Sequence, residues 1–187
     1  MIKLIFTLLS INCLLFGQLR AGFDVSGEFK AAYEGESVTY DAESGIVIGY
    51  DAVMQDEGGL KFGVGGEFMI GRGVEEFGEG KRSFHSVYGF GKYSLNEKAY
   101  GLGRIGYNFH TGDDDYTEPP APGVNVELTG GMMYAFGGGF SMTPTLSFEG
   151  LFASHSGKVI FELGSGYENI TAKLTYTRIS LGIVYIL

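Results

Sequence analysis

Three short clusters carry residue types able to do chemistry. Ser154-His155-Ser156 sets hydroxyls beside an imidazole, with Glu149 upstream as a third member, the side-chain types of a base-activated nucleophile. Asp113, Asp114 and Asp115 with Glu118 offer hard oxygen ligands for a divalent cation. Gly101-Leu102-Gly103-Arg104-Ile105-Gly106 has the glycine spacing of a phosphate-cradling turn. Each makes a demand on local structure. In a strand only residues two apart share a face. His155 therefore sides with Ala153 and Gly157 while both serines point away, and Glu149 lies too far along the strand to touch it. The acidic run lacks the alternate spacing and following glycine of a calcium loop, and reads as a solvated loop, as do Glu75, Glu76 and Glu79. The glycine turn needs a helix after it, yet Tyr107-Asn108-Phe109 continues a strand. His85 and His110 show no metal-ligand spacing with His155. No catalytic residue, metal ligand or cofactor site is assigned.

The elements that position these residues follow a period of two. Across residues 23–33, Phe23, Val25, Gly27, Phe29, Ala31 and Tyr33 share one face, and Asp24, Ser26, Glu28 and Lys30 take the other. Ile46, Ile48, Tyr50 and Ala52 mark a second strand. Asp56-Glu57-Gly58-Gly59 is a tight turn into a third, with Leu60, Phe62, Val64, Gly66, Phe68 and Ile70 opposed by Lys61 and Glu67. Residues 83–93 are ambiguous in phase; placing Lys92 inside turns Val87, Gly89, Gly91 and Tyr93 outward, and a bulge would reconcile Phe84, Tyr88 and Phe90. Ile105, Tyr107 and Phe109 oppose Arg104. Val126, Leu128, Gly130, Met132, Tyr134 and Phe136 oppose Asn125, Glu127 and Thr129. Leu146, Phe148, Gly150 and Phe152 oppose Ser147, Glu149 and His155. In the last strand Ile179, Leu181, Ile183, Tyr185 and Leu187 oppose Arg178, Ser180 and Gly182; Leu174 and Tyr176 fall out of phase, which calls for a bulge or a rise beyond the apolar zone.

Composition agrees with strands. Gly is 32 of 187 residues, more than twice the usual share of roughly 7%, and weakens helices while suiting closely packed, tilted strands. There are 15 Phe, 12 Tyr, 4 Pro and no Trp. The formal charge is −9, which disfavours binding to nucleic acid. The start, Met1-Ile2-Lys3 followed by an apolar run from Leu4 to Gly17, has the length of a signal-peptide core and is too short to span a membrane as a helix. Leu19-Arg20-Ala21 supplies a cleavage site, so residues 1–21 are assigned to the leader and 22–187 to one domain. Cys13 lacks the small residue that a lipoprotein cysteine needs before it, and leaves with the leader.

About eight strands result, joined alternately by short turns near residues 55–59, 95–98 and 138–143 and by longer loops near 35–45, 72–82, 111–124 and 157–168. An even count with that alternation is the pattern of an antiparallel up-and-down transmembrane barrel. A soluble lipocalin-like ligand carrier has the same period with its apolar face inward. Mixed charges on the proposed inner faces favour the membrane form: Glu28, Lys30, Lys61, Glu67, Lys92, Arg104, Glu127, Glu149 and Arg178 form a lumen network in which opposite charges pair. An eight-stranded bore is just wide enough for its own side chains, so this network reads as a structural plug ahead of a narrow channel.

The chain ends on an apolar alternating strand with no polar tail. With Ser180, Gly182, Tyr185 and Leu187 in their relative spacing, it resembles the C-terminal insertion signal of bacterial outer-membrane β-barrels, Leu187 standing where Phe is usual. The whole of residues 22–187 resembles the small eight-stranded members of that class, the OmpX-like and OmpA-transmembrane-domain barrels of the porin-like superfamily. The resemblance implies an all-β barrel in the cell outer membrane, a monomer in contact with membrane lipid and lipopolysaccharide, inserted by the barrel-assembly machinery and binding no cofactor. It implies a non-enzymatic role in membrane integrity or surface interaction through the outer loops. Lipid A deacylases share the architecture and use Ser, His and Glu, which makes a lipid A-modifying enzyme the catalytic alternative, centred on Ser154, His155 and Ser156.

Overall fold

The computed structural model describes residues 17–74, 80–113, 124–163 and 167–187. It contains ten strands: β1 (Gly17–Tyr33), β2 (Glu36–Asp41), β3 (Gly45–Glu57), β4 (Leu60–Met69), β5 (Arg82–Ser94), β6 (Ala99–Gly112), β7 (Asn125–Thr129), β8 (Gly131–Ser141), β9 (Leu146–Glu162) and β10 (Ile170–Ile186). The order β10-β1-β3-β4-β5-β6-β8-β9 returns to β10 through the β9–β10 pairing, so eight antiparallel strands close a ring. β2 pairs with the far half of β1, and β7 with the far half of β9, as extensions of β3 and β8. Closure leaves no sheet edge within the ring, the condition for a strand wall in lipid.

Short turns and long connections segregate. At one end Gly58 and Gly59 (φ 62° and 81°) make a two-residue hairpin in the left-handed region, which an L-residue adopts only at a cost. The turns at 95–98 and 142–145 and the start of β1 share that end. At the other end, β1 and β2 extend as a hairpin turning at Glu34 and Gly35, where a loop over 35–45 was expected.

The wall is apolar outside. Phe23, Ile48, Val64, Phe68, Ile105, Tyr134, Phe136 and Leu181 are each half exposed or more, far beyond what water tolerates as a continuous band. This is a lipid-facing surface. Leu181→Arg, central on this wall, is expected to weaken folding into bilayers by about 2–4 kcal/mol; urea midpoints in lipid vesicles read the loss, and an unchanged midpoint would place Leu181 away from lipid.

Expectations about phase change in four segments. The β1–β10 register shifts between Asp24 and Ser26, a bulge that turns Glu28 and Lys30 outward and Phe29 inward, because one extra residue swaps the faces. The break at Gly130 does the same, so Val126 and Leu128 pack inward and Glu127 is exposed. Conversely, residues 83–93 and the last strand need no bulge: β5 keeps an unbroken register along β6 and β10 along β9, and Phe84, Tyr88, Phe90, Leu174 and Tyr176 are simply inside. Residues 18–21, assigned to the leader from the sequence, are laddered to both β10 and β3, and Arg20 is 5% exposed inside the bore.

Candidate functional site

The bore holds a connected ionic chain. From the short-turn end, Lys92 Nζ donates to Gln18 Oε1 (2.6 Å) and Glu149 Oε1 (2.8 Å). Arg104 Nη2 spans Glu149 (3.0 Å) and Asp51 (3.4 Å). Tyr88 donates its hydroxyl to Asp51 (2.7 Å) and accepts from Arg20 (2.5 Å). Arg20 pairs with Glu67 (3.2 Å), and Glu67 with Arg178 (2.5 Å). Arg178 then reaches Asp24 (2.9 Å), which also pairs with Arg72 (2.7 Å). Every member is buried, so the pairing offsets a desolvation cost that no single charge could bear alone.

The outer part of the bore is oily. Phe29, Val47, Met69, Val74, Phe84, Val159, Leu174 and Tyr176 form one buried cluster, with Phe29 stacked on Tyr176 at 4.6 Å. Arg82 covers the Phe29 ring at 4.8 Å. A purely ionic filling was expected; the strands above the bulge supply apolar side chains instead. At the short-turn end a cavity of about 430 Å³ opens over Gln18, Lys92, Tyr100 and Ser147 and stops at the ionic chain.

Of the nine lumen residues expected, Glu67, Lys92, Arg104, Glu149 and Arg178 are buried in the bore. Lys61 sits at the short-turn rim, paired with Asp56 at 2.8 Å. Glu28, Lys30 and Glu127 lie outside for the phase reasons given above. Sequence reasoning missed Arg20, taken for leader, and Arg72, taken for loop. Asp24 was read on a polar strand face but left out of the network, and Asp51 was not singled out. Tyr88 and Tyr176 announced themselves only as aromatics in the wrong phase. In the terminal signature, Ser180 is buried and Tyr185 and Leu187 are half exposed on the wall; the Leu187 amide donates to the Gly17 carbonyl (3.0 Å) across the seam.

His155 has a different neighbour from those expected. Its Nδ1 lies 3.4 Å from Ser86 Oγ, and its Nε2 lies 3.8 Å from Glu67. The resulting Ser–His–Glu grouping has the members of a hydrolytic triad and the wrong protons. Arg178 Nε donates to His155 Nε2 (3.3 Å), and an arginine nitrogen cannot accept, so Nε2 carries the lone pair. The hydrogen is then on Nδ1 and points at Ser86, leaving no base to take the serine proton. His155 is also fully buried beneath Phe84 and Tyr176. Ser154 and Ser156 sit on the opposite face, Ser156 donating to the Met132 carbonyl (2.9 Å).

Among the described residues no group of three or more metal-ligating side chains converges. Asp113 accepts from the Lys81 amide (3.0 Å), while Asp114, Asp115, Glu118, Glu75, Glu76 and Glu79 lie outside the described residues.

Beyond the apolar band, β2, β1, β10, β9 and β7 continue as a five-stranded sheet. Phe29, Tyr40, Val126, Leu128, Val159 and Leu174 line its inner face. Among the described residues β2 pairs with β1 alone, so its other side is an unladdered edge.

Among solved structures, the outer membrane protein OprG from Pseudomonas aeruginosa matches with a TM-score of 0.55 at 14% identity, covering 92% of this chain and 95% of that one. The outer membrane protein AlkL, determined in lipid bilayers, matches with a TM-score of 0.52 at 11% identity, covering 91% and 90%. No family model and no curated protein sequence matches. At these identities the likeness is one of fold.

Proposed function

The chain has the fold of the small outer-membrane β-barrels, and from that premise we propose that it is a non-enzymatic outer-membrane protein acting through the sheet it holds above the bilayer. The observation that carries this reading is the closed bore. The ionic chain and the aromatic cluster fill it in series, and the Ser86–His155 pair among the described residues is sealed, with Arg178 donating to the nitrogen that faces away from the serine. What stays accessible is the projecting sheet, in which β2 pairs among the described residues with β1 alone, and the outward backbone groups of that edge suit an extended partner strand. Export relies on the leader read in the first residues. With Gln18 and Arg20 bonded inside the bore, this reading puts the end of the leader before Gln18, ahead of the boundary at residue 21.

Planar bilayer recordings are expected to show no discrete conductance at ±100 mV. Cells expressing Thr39→Pro, whose amide stands in a non-hydrogen-bonded pair with Lys30 and so points to the open edge of β2, are expected to lose surface adhesion while the barrel still folds. Steady channel openings, or adhesion indifferent to the edge, would favour the narrow-channel reading instead.

A further inference from the structure

The ionic chain in the bore does not balance. It holds five cations, Lys92, Arg104, Arg20, Arg178 and Arg72, against four carboxylates, Glu149, Asp51, Glu67 and Asp24. His155 accepts from Arg178 and adds no charge. A surplus charge is costly where water is excluded, so the chain calls for one more anion. Hydrogen bonding shows which end is open. At the outer end every guanidinium nitrogen of Arg72 donates, to Asp24 or to the Ile46 and Ile70 carbonyls. At the short-turn end Lys92 has three hydrogens and two acceptors, Gln18 at 2.6 Å and Glu149 at 2.8 Å. Next along the chain, Nε and Nη1 of Arg104 meet no acceptor among the described residues.

The short-turn cavity opens at that ammonium. Its volume of about 430 Å³ falls within the ~300–1,000 Å³ of small-molecule sites. Gln18 turns Oε1 to Lys92, and among the described residues nothing accepts from its Nε2, so two donors stand side by side at the floor. Above them the Ser141 and Ser147 hydroxyls bond each other at 3.1 Å, and Val184, Ile186 and the Tyr100 ring give an apolar side. At the rim Lys61 is closed by Asp56 at 2.8 Å, and Lys98 stands next to Glu97. The surplus is therefore one charge, and it lies at the floor.

We propose that this cavity binds a small monocarboxylate. One carboxylate oxygen accepts from Lys92 Nζ and the other from Gln18 Nε2, while a short hydrocarbon stem lies along Val184, Ile186 and the Tyr100 ring. Two adjacent donors, one of them charged, match the two oxygens of a carboxylate. A monoanion closes a surplus of one charge, whereas a phosphate dianion would set a second charge against Glu149. The site faces the short-turn side, which is the periplasm in the membrane reading, and it does not depend on the projecting sheet at the other end.

The test follows backbone amide signals of the full-length refolded barrel in lipid nanodiscs during titration with sodium hexanoate and with 1-hexanol. Hexanoate is expected to shift the Lys92, Tyr100 and Ser147 amides and to bind about tenfold or more tighter than hexanol. Lys92→Met, which leaves four cations against four carboxylates, is expected to lose that preference. Ser94→Trp, at the exposed rim and outside the ionic chain, is expected to close the mouth and lose both ligands. Lys173→Gln, at the opposite end, is expected to bind as wild type does. Equal affinity for acid and alcohol, a preference that survives Lys92→Met, or shifts spread over the outer apolar wall overturn the proposal. Sodium phosphate displacing hexanoate at equal concentration overturns the monocarboxylate assignment. Heat-modifiable gel migration is scored for every variant. Should Lys92→Met not fold, hexanoate shifts retained in Ser94→Trp overturn the site, and their loss supports it. A wild type without heat-modifiable migration would sink the barrel reading itself, whereas a folded wild type indifferent to hexanoate sinks only this inference.

Discussion

Glu67→Gln is expected to cost the barrel about 3–5 kcal/mol of stability in bilayers, the scale for breaking a buried ion pair from one side. Glu67 alone holds both Arg20 (3.2 Å) and Arg178 (2.5 Å), and all three are buried. Glutamine retains the shape and one acceptor, so the loss reports charge and not volume. Two guanidinium groups would then face each other with one carboxylate fewer in a site that water does not reach. Arg20 keeps only Tyr88, and Arg178 keeps Asp24. Urea unfolding in lipid vesicles, followed by circular dichroism, measures the effect. Adding Arg178→Met to Glu67→Gln is expected to recover part of it, since removing both partners is milder than stranding one. A single variant within 1 kcal/mol of wild type would mean that water enters the bore.

The second large effect comes from the start of β1. A chain beginning at Gly22, the boundary the sequence suggested, is expected not to close, whereas one beginning at Gln18 folds. Residues 18–21 ladder to Ile186, Tyr185, Val184 and Ile183 on one side and to Asp51, Tyr50, Gly49 and Ile48 on the other. Their loss opens the seam at the short-turn end and removes Arg20 from the ionic chain. Each unsatisfied backbone group in lipid costs several kcal/mol. Refolding both chains and comparing heat-modifiable migration decides the matter. Equal folding would show the seam to be dispensable, and the mass of the exported protein reports where the leader is cut.

The barrel itself was legible because alternation survives translation into strands, and the polar inner faces of β4, β6 and β9 kept their phase throughout. The inner apolar cluster was not legible, for a specific reason. Alternation from Phe23 to Tyr33 is continuous, yet the chain inserts one unpaired step at Val25, and no residue there announces a bulge by type. The same apolar series therefore faces lipid at Phe23 and the bore at Phe29. Gly130 performs the equivalent step between β7 and β8, and a glycine in a strand was the one available hint. In the last strand Leu174 and Tyr176 left two readings open, a bulge or a rise beyond the apolar zone, and the unbroken register removes the bulge. Arg20 was lost to a rule about leaders that takes no account of where a side chain ends up.

These slips make the wall two storeys with opposite upholstery. In the lower one oil hangs outside and salt is kept indoors; in the upper one, beyond Val25 and Gly130, the oil has moved indoors and the hydroxyls look out. A detergent collar thus has only the lower storey to clothe. Short-chain micelles, too shallow for taller proteins, ought to leave the upper storey dry-hearted and upright.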